Sequence, residues 1–164
     1  MQTRHNEETI DHLHHSMISE FSKTLEMFSL NTTESQLFVI LYLSDEPMTL
    51  DDMKNALGKS KTAMSNSIRT LLDYNLVERV WIRGVRKDLY QAEKDLYGKF
   101  MKAYVNRWLD AIERQKSNLK QIEEHIQEDE IQSDRQTSVK LKEAIRFHDA
   151  LEDVFNDINE KDIY

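Results

Sequence analysis

Residues 49–74 read TLDDMKNALGKSKTAMSNSIRTLLDY, two helical segments split by a glycine. Thr49 offers a hydroxyl to the orphan N–H groups that open a helix. Asp51 and Asp52 follow in the first turn, where the helix dipole favours acids. The helix runs from Leu50 to Leu57 and stops at Gly58, a residue suited to the left-handed backbone that ends helices. Two residues later Ser60 can cap a second helix, about 61–74. Two short helices joined by a tight Gly58-Lys59 turn make a helix-turn-helix pattern.

The second helix has two unlike sides. Met64, Ile68, Leu71 and Leu72 cluster on one and are expected in the core. Thr62, Asn66, Arg69 and Thr70 lie opposite, with Ser65 on the flank. Short or forked hydrogen-bonding side chains suit a major groove, where Asn pairs bidentately with adenine and Arg with guanine. The helix N-terminus, with Lys59, Ser60 and Lys61, can receive a phosphate.

After Asn75 the period changes. Leu76 to Ile82 is rich in Val, Ile and Trp, all strand formers. Arg83-Gly84-Val85-Arg86-Lys87 is a basic turn, and Asp88 to Ala92 can return as a second strand. A helix-turn-helix followed by a hairpin with a basic tip is a winged helix-turn-helix. Arg83, Arg86 and Lys87 become candidate phosphate or minor-groove contacts at the distance a wing requires.

The charge distribution agrees. Net charge is −8, yet between Lys54 and Lys87 eight basic residues meet two acids, Asp73 and Glu78. A basic island in an acidic chain is an electrostatic footprint for nucleic acid. The competing reading is a winged-helix module that docks proteins. Such a module calls for apolar surface on helix and wing, where this chain places charge.

Outside the middle there is neither Pro nor Gly, so both flanks can be long helices. Over about 8–29, Ile10, Leu13, Met17, Ile18, Phe21, Leu25 and Phe28 recur at three- and four-residue steps. Thr33 followed by Gln36 reads as a capping box for a short apolar helix, about 34–44, buried on most sides. Ser44 to Pro47 is a turn. From about Lys94 to Gln127 one helix carries a stripe through Tyr97, Met101, Tyr104, Trp108, Ile112, Gln115, Leu119, Ile122 and Ile126. Asp129 to Ser138 is a polar break, and a last helix occupies about 139–158. The long stripe exceeds what a small winged domain can cover, which predicts a homodimer.

The expected fold is mainly α with a small β wing, a winged helix-turn-helix flanked by long dimerisation helices. Three regions follow: residues 1–31, a helix contributing to the dimer core; 32–93, the winged domain; and 94–164, the linker and C-terminal helices, for dimerisation and effector.

Composition excludes other classes. No cysteine means no disulfide, no Cys-based zinc site and no thiol nucleophile. Neither phosphate-loop glycine motif occurs. No serine-histidine-aspartate order stands out, so no enzyme and no cofactor is expected. The longest apolar run, Leu37 to Leu43, is far short of a membrane span, and no apolar leader precedes the first helix. The expectation is a cytoplasmic protein without membrane contact. His12 and His15 share a helix face beside His14, but with no carboxylate or cysteine demonstrably near they read as exposed residues, not metal ligands.

The segment EPMTLDDM (46–53), LGKSK (57–61), RVW (79–81), RGVRKD (83–88) and AEKD (92–95) resembles, in this order and spacing, the GbsR branch of the MarR superfamily. The likeness covers about residues 15–125 and, more loosely, the last helix. It implies a bacterial dimeric repressor bound to a double-stranded operator. It further implies control of choline and glycine betaine uptake or synthesis genes, with choline as inducer. A quaternary ammonium has no hydrogen-bond donor and is held by aromatic faces. Under that resemblance Tyr97, Tyr104 and Trp108 become effector candidates, with Trp81 and Tyr42 able to close a cage from the winged domain.

Overall fold

A computed structural model describes the backbone of residues 2–128 and 135–161. In chain order the elements are α1 (Gln2–Glu26), α2 (Thr32–Leu43), α3 (Leu50–Leu57), α4 (Lys61–Asp73), β1 (Val77–Val80), β2 (Leu89–Ala92), a π-wound turn (Leu96–Met101), α5 (Lys102–Glu128) and α6 (Arg135–Glu160). Among the described residues the chain is mainly helical with one small antiparallel sheet, as expected. It divides into two compact units, Met1–Phe100 and Met101–Tyr164.

In the first unit α2 is the hub. Ser35, Leu37, Phe38, Val39 and Leu41 are all buried, so this helix has no solvent face to speak of. Its cap differs from the expected one. Asn31 and Glu34 form the capping box, not Thr33 and Gln36: Asn31 Oδ1 accepts from the Glu34 amide at 2.9 Å, and Glu34 Oε2 accepts from the Asn31 amide at 2.9 Å. A Thr/Gln pair has the right spacing, but Asn31 caps as well as Thr and a charged Glu in the first turn also meets the helix dipole.

Helices α3 and α4 stand as read. Thr49 and Asp52 make a reciprocal capping box. Gly58 takes the left-handed conformation at φ 63°, which a side chain would strain. Ser60 accepts from the Ala63 amide at 3.1 Å and opens α4. At the other end Asn75 adopts φ 56° and the Leu76 amide donates to the Leu71 carbonyl at 2.9 Å. This satisfies a carbonyl left over at the helix end and turns the chain into β1. Met64, Ile68 and Leu71 are buried, while Leu72 is half-buried.

The hairpin is shorter than expected. The ladder pairs Val77 with Ala92 and ends at Val80–Leu89. Trp81 and Ile82 fall in the loop, because the Val85 amide donates to the Ile82 carbonyl at 3.1 Å and closes the turn early. Met48, just after Pro47, adds a bridge on the other side of β2, exchanging two 2.9 Å hydrogen bonds with Tyr90.

The expected continuous helix from Lys94 is interrupted. Over Leu96–Met101 it is π-wound, with the Phe100 amide donating to the Asp95 carbonyl at 3.2 Å. Asp95 also accepts from the Gly98 amide at 2.6 Å. A Cβ at position 98 would push that carboxylate aside, so glycine leaves room for the Asp95 contact.

The second unit is a hairpin of α5 and α6. Trp108 stacks flat on Phe155, centroids 4.9 Å apart, and Lys116 pairs with Asp149 at 3.2 Å and with Glu152, so the helices run antiparallel. The Lys116 side chain is only 16% exposed, and its amine is held above the usual lysine value, first by the hydrogen bond to Glu152 against the opposing effect of burial. Phe147 and Val154, seven residues apart on α6, remain exposed. Helix α6 begins at Arg135, so the last part of the expected polar break is helical; residues 129–134 lie outside the described ones. Among the described residues no helix is long and apolar enough to cross a membrane.

Candidate nucleic-acid interface

Helix α4 presents the expected polar side. Thr62, Asn66 and Arg69 are exposed, and Ser65 and Thr70 are half-buried. Arg69 makes no ion pair among the described residues, so its fork is free for a base edge or phosphate. The Thr70 hydroxyl is turned back to the Asn66 carbonyl at 3.4 Å. Ser60 spends its hydroxyl on the helix cap, which leaves Lys59 and Lys61 as the outward groups at this end.

The wing loop, residues 81–88, is exposed throughout. Arg83 and Arg86 make no ion pair among the described residues. Arg79, at the base of the wing, lies 5.6 Å from the Tyr90 ring centroid and 3.6 Å from the Asp88 carboxylate. The loop is not purely basic. Trp81 is 86% exposed, and Ile82 and Val85 are exposed beside it. The charge pattern does not reveal this apolar edge, because a strand reading buries every second residue, and these lie beyond the ladder.

Sequence reasoning missed the group that joins helix and wing. Asp51, on the first turn of α3, receives Lys61 Nζ on Oδ1 at 2.9 Å and Lys87 Nζ on Oδ2 at 3.1 Å. The hydrogen bonds from Lys61 and then Lys87 hold its carboxyl below the ordinary carboxylate value. Two of the candidate DNA contacts therefore share one anion. The available signal was the doubled acid: Asp52 has the spacing of the capping box, so Asp51 was spare.

The five effector candidates divide between the units, Tyr42, Trp81 and Tyr97 in the first and Tyr104 and Trp108 in the second. Tyr42 stacks on Phe38 at 6.2 Å and meets Phe21 edge-on at 5.9 Å. A cation already sits over its ring: Lys94 Nζ is 5.3 Å from the centroid and donates to the Tyr42 and Ser44 carbonyls. Trp81 belongs to the wing loop. Tyr104 and Trp108 meet edge-on at 6.4 Å, and Phe155 occupies one face of Trp108. The stripe that joins them to Tyr97 supposes an unbroken α-helix, and that spacing does not carry through the π-wound turn. Among the described residues no group of three or more His, Cys, Asp or Glu could hold a metal.

Comparison with known proteins supplies the family. Residues 23–86 match the family model described as the N-terminal domain of the methanogenesis regulatory protein FilR1. The chain is 30% identical to the HTH-type transcriptional repressor OpcR of Bacillus subtilis (strain 168), covering 87% of this chain and 82% of that protein. It is 28% identical to the HTH-type transcriptional repressor GbsR of the same organism, covering 83% and 74% respectively. A solved structure described as a transcriptional regulator superposes with a TM-score of 0.65 at 17% identity, over 88% of this chain and 93% of that one, a likeness of fold. Capped helices, a basic wing and a relative aligned over most of both chains converge: this protein belongs to the family of helix-turn-helix transcriptional regulators that includes OpcR.

Proposed function

We propose that the protein is a homodimeric repressor of GbsR/MarR type. In this reading residues 32–93 bind an operator half-site through α4 and the wing, and residues 1–31 and 94–164 hold the dimer and the effector region. The target genes serve osmoprotectant uptake or synthesis, and a quaternary ammonium such as choline relieves repression. The observation that carries the DNA part is the exposed row Thr62, Asn66 and Arg69 on α4, followed by a fully exposed wing with Arg83 and Arg86. The resemblance to the GbsR branch, and a relative named GbsR, support the effector.

The test uses the duplex recovered by in vitro selection from a random pool. Asn66→Ala and Arg69→Ala are each expected to weaken binding by about 1–3 kcal/mol and relax base preference. Arg86→Ala is expected to weaken all duplexes alike and flatten the salt dependence. Choline is expected to weaken operator binding, and dimeric Trp108→Ala to lose that response while still binding DNA. A full choline response in that variant removes Trp108 from the cage, and no response to any quaternary ammonium removes the effector.

One observation favours a second reading. The exposed Trp81, Ile82 and Val85 give the wing the apolar edge that a protein-docking module needs. If Asn66→Ala, Arg69→Ala and Arg86→Ala all leave DNA binding unchanged, that reading replaces the first.

A further inference from the structure

Asp51 is an anion in the middle of a basic surface, and the cap of α3 does not use it. The N-terminal cap of α3 is complete without it: Asp52 Oδ2 accepts from the Thr49 amide at 2.8 Å and from its hydroxyl at 2.6 Å. Asp51 instead reaches two elements outside its own helix, Lys61 on the first turn of α4 and Lys87 at the end of the wing loop. All three side chains face solvent, with 42% of the Asp51 side chain exposed and 59% and 66% of the two lysines. In water such pairs add little to stability. Their effect is on what the surface presents. Lys61 and Lys87 stand ready for phosphates, but a carboxylate already occupies the place that a phosphate oxygen would take.

We propose that Asp51 is a specificity-determining positioning residue: it stands in for a phosphate between Lys61 and Lys87, holding α4 and the wing at one spacing and suppressing non-specific DNA binding. The inference rests on the reading of α4 and the wing as the DNA interface. The physical distinction is between two kinds of complex. Non-specific binding is almost wholly electrostatic and scales with the number of phosphates neutralised. An acid that engages two of the cations on that surface opposes it by withholding them from phosphates. A specific complex also needs the base-reading side chains of α4 and the cations of the wing to arrive in register. A tether between helix and wing lowers the ordering cost of that complex and offers nothing to a loose one. Asp51 therefore weakens non-specific binding more than operator binding.

The test compares Asp51→Asn with the wild type on two probes, the duplex obtained by in vitro selection and a scrambled duplex of the same composition, over a salt series. Asn keeps the size and removes the charge, and circular dichroism and melting confirm the fold. For Asp51→Asn, affinity for the scrambled duplex is expected to rise about fivefold, the size of one charge–charge contact across water. The slope of log affinity against log salt is expected to steepen by up to about 0.9, one phosphate equivalent. Operator affinity changes less, so the ratio falls. Asp51→Glu is expected to restore most of the ratio. In a Lys61→Gln, Lys87→Gln background the Asp51→Asn change is expected to lose its effect, because the anion acts through those lysines. An unchanged ratio, or equal weakening on both duplexes, overturns the proposal and leaves Asp51 a scaffold. If Arg69→Ala and Arg86→Ala bind both duplexes like wild type, the interface reading itself fails, a result distinguishable from the first.

Discussion

The winged region and the α5–α6 hairpin solve the burial problem differently. In the winged region the central helix α2 is enclosed on nearly every side, and the helix ends are capped by their own neighbours in sequence. In the hairpin, two long helices cover only part of each other. Phe147 and Val154 stay exposed, and a paired lysine sits among the packed side chains. The contrast is that α2 completes its burial within a single chain, while α6 keeps an apolar surface suited to a second copy.

The sharpest break of that contrast is on the hairpin surface. Phe147→Glu combined with Val154→Glu is expected to convert dimer to monomer in light scattering. If Phe147 is buried once in each subunit, its loss alone costs the association about 3–6 kcal/mol at about 1.5–3 kcal/mol per buried side chain. The first melting transition of the winged region is expected to stay in place. A dimer that persists in this variant takes the interface away from this face of α6.

Nearly as large, but in the other region, is Phe38→Ala. Phe38 is fully buried on α2, so the cavity is expected to cost about 3–5 kcal/mol by urea titration, with DNA binding lost through unfolding. A loss below 1 kcal/mol would show that α2 is not the hub.

Lys116→Met comes next. Removing the amine leaves the Asp149 and Glu152 carboxylates without their partner, and hydrogen bonds to charged groups are worth about 1.5–3 kcal/mol. The pH dependence separates charge from packing. The Lys116 amine is raised above 10.5 in the folded state, by the Glu152 hydrogen bond first. Its stabilisation is thus fully present below 10.5 and lost as pH rises through the higher folded value. Wild-type protein is expected to lose this share of its stability in alkaline melts, and Lys116→Met is expected to have none of it to lose.

The smallest effect is at Asn31. Replacing this cap by Ala is expected to cost about 1 kcal/mol, while Thr33→Ala costs less because Thr33 is not the cap. Equal effects would restore the Thr33 capping box.

Much of the winged region was legible because its signals are local. The caps at Thr49 and Ser60, the stop at Gly58 and the strand-forming run after Asn75 depend on residues three or four apart, and spacing of that kind is written in the chain. Even the error at α2 was one between two nearby caps of similar chemistry. Local spacing is therefore enough to write the helix-turn-helix, the wing with its cations and the polar row of α4. Which distant groups meet is a matter of tertiary structure. Asp51 reaches Lys87 across 36 residues, and Lys94 reaches the end of α2 across 52 and 50. Tertiary structure also decided where the ladder ends, which left Trp81 on an exposed wing, and where the helix after β2 takes a π turn. No periodicity encodes such meetings. They depend on the path of the whole chain, and an ion pair or a bridge forms only where packing elsewhere has brought its two ends together.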